Sequence, residues 1–214
     1  PYSIKWEGED NPILINDARY APAGILAPKS KADLAFTMHM LHLLGESGVA
    51  AIVEFPGVLY RSGKEQTIRK WLVENNYVDT IIQLPSNLFF GVGIATCIIV
   101  LRKSARPDNQ ILFIDASREF VKNGNKNRLT PDNQNHIFQV FAERKEEEYF
   151  SRLVSIDDVL KNDANLSVSS YVEQEDTREA IDIEQVNANL ASLIEEGNAL
   201  NARIEEIILQ LGGE

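Results

Sequence analysis

The sequence predicts an α/β domain followed by a separate acidic helix. Short, uninterrupted apolar runs alternate with segments of helical period along residues 33–114. Runs of that kind are strands buried on both faces, as in a helix-flanked sheet. From about residue 183 the apolar positions recur three and four apart for four heptads, the spacing of a coiled-coil seam.

Taken in order, residues 1–30 are rich in Pro, Gly, Asn and Asp and predict loop, with Glu7-Gly8-Glu9-Asp10-Asn11-Pro12 dense in turn formers. Asp33 is placed to cap a helix over 33–45, in which Leu34, Met38 and Leu41 recur at helical spacing before Gly45 and Gly48. Val49–Phe55 predicts a first strand, ended by Pro56-Gly57. A helix over 64–75 turns Ile68, Trp71 and Leu72 inward. Strands follow at 78–84, 94–101 and 111–114, and this order implies an antiparallel hairpin near the end of the sheet. Residues 118–128 form a basic loop rich in Gly and Asn, followed by a mixed helical stretch over about 131–150. Residues 155–172 suggest a short helix and an extended segment.

The 214 residues carry a net charge of −11, unevenly spread: residues 173–214 hold eleven acids and two arginines. A nucleic acid would have to meet a local basic face in residues 1–172. No run of 18 uncharged apolar residues exists, which argues against a membrane-spanning helix. A single cysteine, Cys97, and the lack of a basic apolar leader suggest a reducing, cytoplasmic setting. The chain begins at Pro1 rather than Met, which suggests processing or a piece of a longer protein.

Ile183, Val186, Leu190, Leu193, Gly197, Leu200, Ile204, Ile207 and Leu211 form the seam, with Gly197 as a hole. A stripe this narrow does not hold a helix alone in water and must be covered. Either it folds back on its own domain or it meets a partner. The expected partner-binding residues are Ile183, Leu190, Leu193, Leu200, Ile204 and Ile207.

Generic catalytic motifs are sparse. His39, His42 and Glu46 could face one way on a helix as a metal triad, but Gly45 frays that helix before Glu46. No metal is assigned. Cys97, mid-strand without a basic neighbour, predicts a buried structural thiol. His136, alone in a polar stretch, is given no role. Three segments stand out: Pro1–Trp6, Pro56–Lys64 directly after a strand, and Leu84–Ile94 between two strands. Loops at strand ends of an α/β sheet are where ligands bind. The aromatic rings Tyr60, Phe89 and Phe90 beside Arg61 and Lys64 suit an unstacked base and its phosphates. Alternatively, the rings only cover the core.

On these residues the chain resembles the C-terminal half of the modification subunit of type I restriction–modification systems, an adenine-specific DNA methyltransferase. The matching stretches are Pro1-Tyr2-Ser3, Ala32–Phe36 with His39, Gly57–Arg61, Ile68-Arg69-Lys70, Leu84–Ile94, Ile111–Ser117 and Asn162–Leu166. The resemblance implies a partial Rossmann-like methyltransferase sheet over 1–172, with an acidic helix for subunit association over 173–214. It implies transfer of a methyl group from S-adenosylmethionine to the N-6 amine of adenine in DNA, protecting host DNA. Pro1 and Tyr2 look like the last two residues of the family's Asn-Pro-Pro-Tyr motif, so Tyr2 would stack on the flipped base, with Phe89 or Phe90 on its other side. Arg61, Lys64, Lys122, Lys126 and Arg128 are the expected phosphate contacts. The family's glycine-rich cofactor turn lies upstream, so no cofactor-binding residue is assigned here and the isolated chain is expected to be inactive. The implied partners are DNA and the specificity and restriction subunits. An open sheet edge would also permit self-association.

Overall fold

The computed structural model describes residues 3–104, 108–175 and 183–211. The chain divides into two units, residues 1–175 and residues 176–214.

The first unit is built on a five-stranded mixed sheet in the order β1-β3-β2-β4-β7. Its strands are β1 (Val49–Glu54), β2 (Val78–Gln83), β3 (Cys97–Arg102), β4 (Gln110–Asp115) and β7 (Ser151–Ser155). Only β2 and β4 run parallel; β3 is antiparallel to both β1 and β2, and β7 to β4. The anticipated antiparallel pairing is therefore present in a mixed sheet.

The strand period of two sends alternate side chains into two cores. Ile81 of β2 and Ile111 and Phe113 of β4 join one core with α1 (Asp33–Leu43) and α2 (Lys64–Glu74). Their neighbours Ile82, Leu112 and Ile114 join a second core with Ile137 and Val140 of α3 (Pro131–Glu143). Both faces are thus covered, which is why β2 and β4 are apolar almost throughout. Each fully buried Ile or Phe contributes about 1.5–3 kcal/mol.

Local chemistry sets the helix ends. Thr130 caps α3: its hydroxyl accepts the Asn133 amide at 3.2 Å, the Asn133 side chain accepts the Thr130 amide at 3.0 Å, and Pro131 opens the first turn. Ser155 caps the short α4 (Ile156–Lys161) through the Asp158 amide. Asp33 does not cap α1. Ala32 holds that position, and the Asp33 carboxylate instead accepts the Ser3 amide at 2.6 Å.

Three elements differ from the sequence reading. The third strand starts at Cys97, not Ile94, which lies half exposed in the preceding loop. The basic segment 118–128 is not all loop: it holds a small hairpin of β5 (Val121–Asn123) and β6 (Lys126–Arg128), turned at Gly124 with φ +60°. The helical stretch after 131 stops at Glu143, where Arg144 turns left-handed at φ 50°, and β7 follows.

The second unit contains α5 (Ile183–Leu211), 29 residues long with none buried. Among the described residues, no helix is long and apolar enough to cross a membrane.

Candidate functional site

Strand register gathers the unusual loops at one end of the sheet. Cys97 of β3 pairs with Glu54 on one side and Gln83 on the other, and Gln83 pairs with Asp115. The segments after β1 (55–63), between β2 and β3 (84–96) and after β4 (116–120) therefore leave from one row of residues. Ser3 comes to the same row through Asp33, since Thr37 of α1 donates to Asp33 O at 3.3 Å and to the Glu54 carboxylate at 3.2 Å.

The 84–96 loop is tied at its base, where Leu84 N donates to Thr96 O at 2.8 Å and the Gln83 amide reaches both Leu84 O and Thr96 O. Two left-handed residues, Asn87 (φ 55°) and Gly91 (φ 73°), fold it over. At Gly91 that φ selects glycine, and a Cβ there would meet nothing. At the tip Phe90 is 96% exposed and Phe89 39%. Neither serves as a core cover. Tyr60, at the end of the neighbouring loop, is also exposed.

Each anticipated phosphate contact can now be placed. Arg61 packs 5.2 Å over the Phe55 ring, with its guanidinium 3.4 Å from Glu65 and so close to Gly57 that a Cβ there would lie 2.4 Å from it. Lys64 pairs with Glu9. Lys126 donates to the Phe89 carbonyl at 3.0 Å. Lys122 stands 5.5 Å over Phe120, and Arg128 is exposed on the same hairpin. The structure thus brings Lys126 to the Phe89–Phe90 loop, leaves Lys122 and Arg128 exposed on the same hairpin, and engages Arg61 and Lys64 within the chain. Pro1 and Tyr2 lie outside the described residues.

Near Ser3, Asp33 and Glu54 line a cavity of about 250 Å³ with Phe36, His39, Met40, Ile52 and Val53. Burial, and then the neighbouring Asp33 charge, push the Glu54 carboxyl up to about 7. Cys97 is fully buried beside it, with its thiol pushed up to about 12 by burial. The resting thiol is therefore protonated and unreactive. His39 stacks on Tyr20, and among the described residues no three His, Cys, Asp or Glu side chains are placed to hold a metal ion.

Sequence reasoning missed two features. His136 bridges Glu119 and Glu147, and Asn127 binds the 84–96 loop. A 3.6-residue or 2-residue period carries no trace of either contact, because the partners lie 11 to 41 residues away.

The sequence pattern of the N-6 DNA methylase family matches residues 1–180. The chain is 47% identical over 208 residues to the type I restriction enzyme MpnII methylase subunit of Mycoplasma pneumoniae, covering 97% of this chain and 38% of that protein. It is 37% identical over 192 residues to the MjaVII methylase subunit of Methanocaldococcus jannaschii, covering 86% of this chain and 33% of that one. A solved type I restriction–modification methyltransferase subunit from Streptococcus thermophilus superposes with a TM-score of 0.77 at 42% identity, over 81% of this chain and 36% of the other. The chain therefore spans roughly two fifths or less of these relatives.

Proposed function

The chain belongs to the N-6 DNA methylase family, and from that premise we propose that it forms the base-holding part of a type I restriction–modification DNA methyltransferase. The parent protein transfers a methyl group from S-adenosylmethionine to the N-6 amine of adenine. The observation that carries this reading is Phe90, an aromatic ring 96% exposed on a loop tied at both ends. Solvating such a ring forgoes about 2 kcal/mol of burial, so its exposure favours a role at the surface. An adenine extruded from a duplex loses a few kcal/mol of stacking. An aromatic partner restores about 1–3 kcal/mol of it.

In this reading Pro1 and Tyr2 close one side of the base, and Phe89 and Phe90 bear on the other. Lys122 and Arg128 meet the phosphates, with Arg61, Lys64 and Lys126 contributing positive charge from their internal pairs. The sheet is the C-terminal half of a Rossmann-like methyltransferase fold over residues 1–172.

No residue of this chain is assigned to holding S-adenosylmethionine. Gly8, Gly48 and Gly57 face side chains of Lys29, Leu44 and Arg61, while Gly24, Gly45, Gly63, Gly91 and Gly124 face open space. No step of the chemistry is assigned to this chain through the donor. Expressed alone, the chain transfers no methyl group.

A second reading rests on α5. Its apolar seam is unburied along 29 residues, and we assign it to docking the specificity subunit, with the restriction subunit joining the assembly in the cytoplasm. Residues 173–214 then serve association.

The test uses the full-length methylase with its specificity subunit and 2-aminopurine at the target adenine. Phe90→Ala is expected to lower methyl transfer at least tenfold and to change the flipped-base fluorescence. Wild-type levels of both would remove Phe90 from the site.

A further inference from the structure

We propose that Asn127, assisted by Lys126, is the positioning residue that sets the Phe89–Phe90 loop; this deepens the base-holding reading and rests on it for its functional meaning. The hairpin that carries both residues is small: β5 and β6 are three residues each and bury almost nothing. Asn127 is the exception, 5% exposed and turned against the loop. Its backbone amide donates to Asn87 O at 3.0 Å and its side-chain amide to Ser86 O at 2.8 Å. The next cation, Lys126, donates to Phe89 O at 3.0 Å. Three carbonyls of the loop backbone, at 86, 87 and 89, are thus gripped by two adjacent residues.

The loop has few means of its own to hold this shape. Within 86–92 the described backbone contributes one hydrogen bond, Val92 N to Phe89 O at 3.3 Å. Asn87 takes a left-handed φ of 55°, a region asparagine enters more readily than other non-glycine residues. The Asn87 carbonyl is the one that accepts the Asn127 amide. The hairpin is anchored in turn: the turn leading into β5 carries Glu119, which accepts from the Asn133 side chain at 2.6 Å and meets His136 at 3.0 Å. A rigid helix, α3, therefore reaches the Phe90 tip through the hairpin.

The chemistry of the grip is specific. Ser86 O needs a donor. Asp at 127 would keep the shape of Asn but set a carboxylate oxygen against that carbonyl in a buried place, which repels. The Asn127 Oδ1 is itself buried without a partner among the described residues, so no acceptor function there is lost in the exchange.

The experiment compares wild type, Asn127→Asp, Asn127→Ala and Lys126→Met in this chain by hydrogen exchange read by mass spectrometry. In Asn127→Asp and Asn127→Ala the amides of residue 127 and Val92, which are bonded to Asn87 O and Phe89 O, are expected to exchange about tenfold faster or more, with those of β2 and β4 unchanged. Lys126→Met, which keeps the Asn127 bonds and cannot unfold the hairpin by burying charge, should give a smaller increase over the same residues. Unaltered exchange of these two amides in folded Asn127→Asp, or in Lys126→Met if the first does not fold, overturns the proposal. In the full-length methylase with its specificity subunit, Asn127→Ala, which adds no charge beside Lys126 and Arg128, should change 2-aminopurine fluorescence while DNA affinity stays within about twofold, a split that general destabilisation does not produce. Failure of the base-holding reading looks different: Phe90→Ala then leaves the 2-aminopurine signal intact while Asn127→Asp still loosens the loop.

Discussion

The Nε2 of His136 lies 2.9 Å from a carboxylate oxygen of Glu147, while its Nδ1 faces Glu119 at 3.0 Å. A ring held between two carboxylates, and stacked 4.2 Å from Phe150, donates at both nitrogens only when protonated.

Burial pulls the His136 pKa down, but the hydrogen bonds to Glu147 and Glu119 outweigh it and the net shift is upward. Glu147 shifts downward, through Lys145 and then His136. A raised histidine pKa gives stability that is full below its unfolded value and lost as pH rises through the folded one. Glu147 adds stability above its ordinary range, lost as pH falls. The clamp therefore works in the window between them. His136→Gln should lower Tm at pH 5.5 by about 1–2 °C, a small effect because the site is partly solvated. The difference should shrink by pH 9. An equal loss at both pH values, by differential scanning fluorimetry, would show that the ring acts only through packing.

Glu54 behaves in the opposite sense to a paired carboxylate. Its folded pKa is raised to about 7 by burial and then by Asp33, so the folded state holds a proton that the unfolded chain has released. Stability falls as pH rises between the ordinary carboxylate range and about 7. Glu54→Gln keeps an acceptor for the Thr37 hydroxyl and removes the charge. It should stabilise the chain by on the order of 2 kcal/mol at pH 8 and by little at pH 4. Urea unfolding at the two pH values checks both numbers.

Arg69 is 2% exposed and donates to three carbonyls: Ala164 at 3.0 Å, Val58 at 3.0 Å and Arg61 at 2.7 Å. Burial lowers its pKa to about 10, against the pull of Glu65. It joins α2, the 56–63 loop and the segment after α4, three parts distant in sequence. Arg69→Met leaves the three carbonyls without these donors and leaves buried Glu65 with Arg61 as its remaining cation. The expected cost is about 3–5 kcal/mol. A urea midpoint within error of wild type would contradict it.

How far this architecture was legible depends on where the information lies. Val78–Gln83 announces β2 because its side chains are buried on both faces. β7 reads Ser-Arg-Leu-Val-Ser and carries no such signal; its pairing with β4 makes it a strand. Gly124-Asn125 is the two-residue turn of the β5–β6 hairpin, with glycine at its first central position, masked because polar residues flank it instead of alternating apolar ones. At the candidate site, the aromatic loops were visible from their rings and their place at strand ends. The partners were not: Lys126 is a surface lysine by sequence, and a backbone carbonyl 37 residues away decides its role.

The buried thiol offers a direct test of the same row of residues. Cys97 lies between Glu54 and Gln83 in register, fully enclosed, and burial and then the Glu54 charge push it up to about 12. Thiolate is the reactive form, and at pH 8 almost none is present. A disulfide reagent should therefore leave the folded chain unlabelled over hours and label it once per chain in urea. Rapid native labelling would mean that the end of the sheet opens.

Leu193 and Leu200 are 64% and 61% exposed on either side of Gly197, where the missing side chain leaves a hole in the seam. A partner helix that fills this hole makes the two leucines the most sensitive positions, since truncated contacts at a packed centre cost most. Leu193→Glu with Leu200→Glu should abolish capture of the specificity subunit by the full-length methylase. Gly197→Ala, a better helix former by about 1 kcal/mol, should raise the helicity of residues 183–211 yet weaken capture, because its methyl occupies the space the partner needs. Circular dichroism and a quantitative pull-down separate the two effects. Stronger capture by Gly197→Ala would mean that the hole is empty in the complex and that helix propensity alone limits docking.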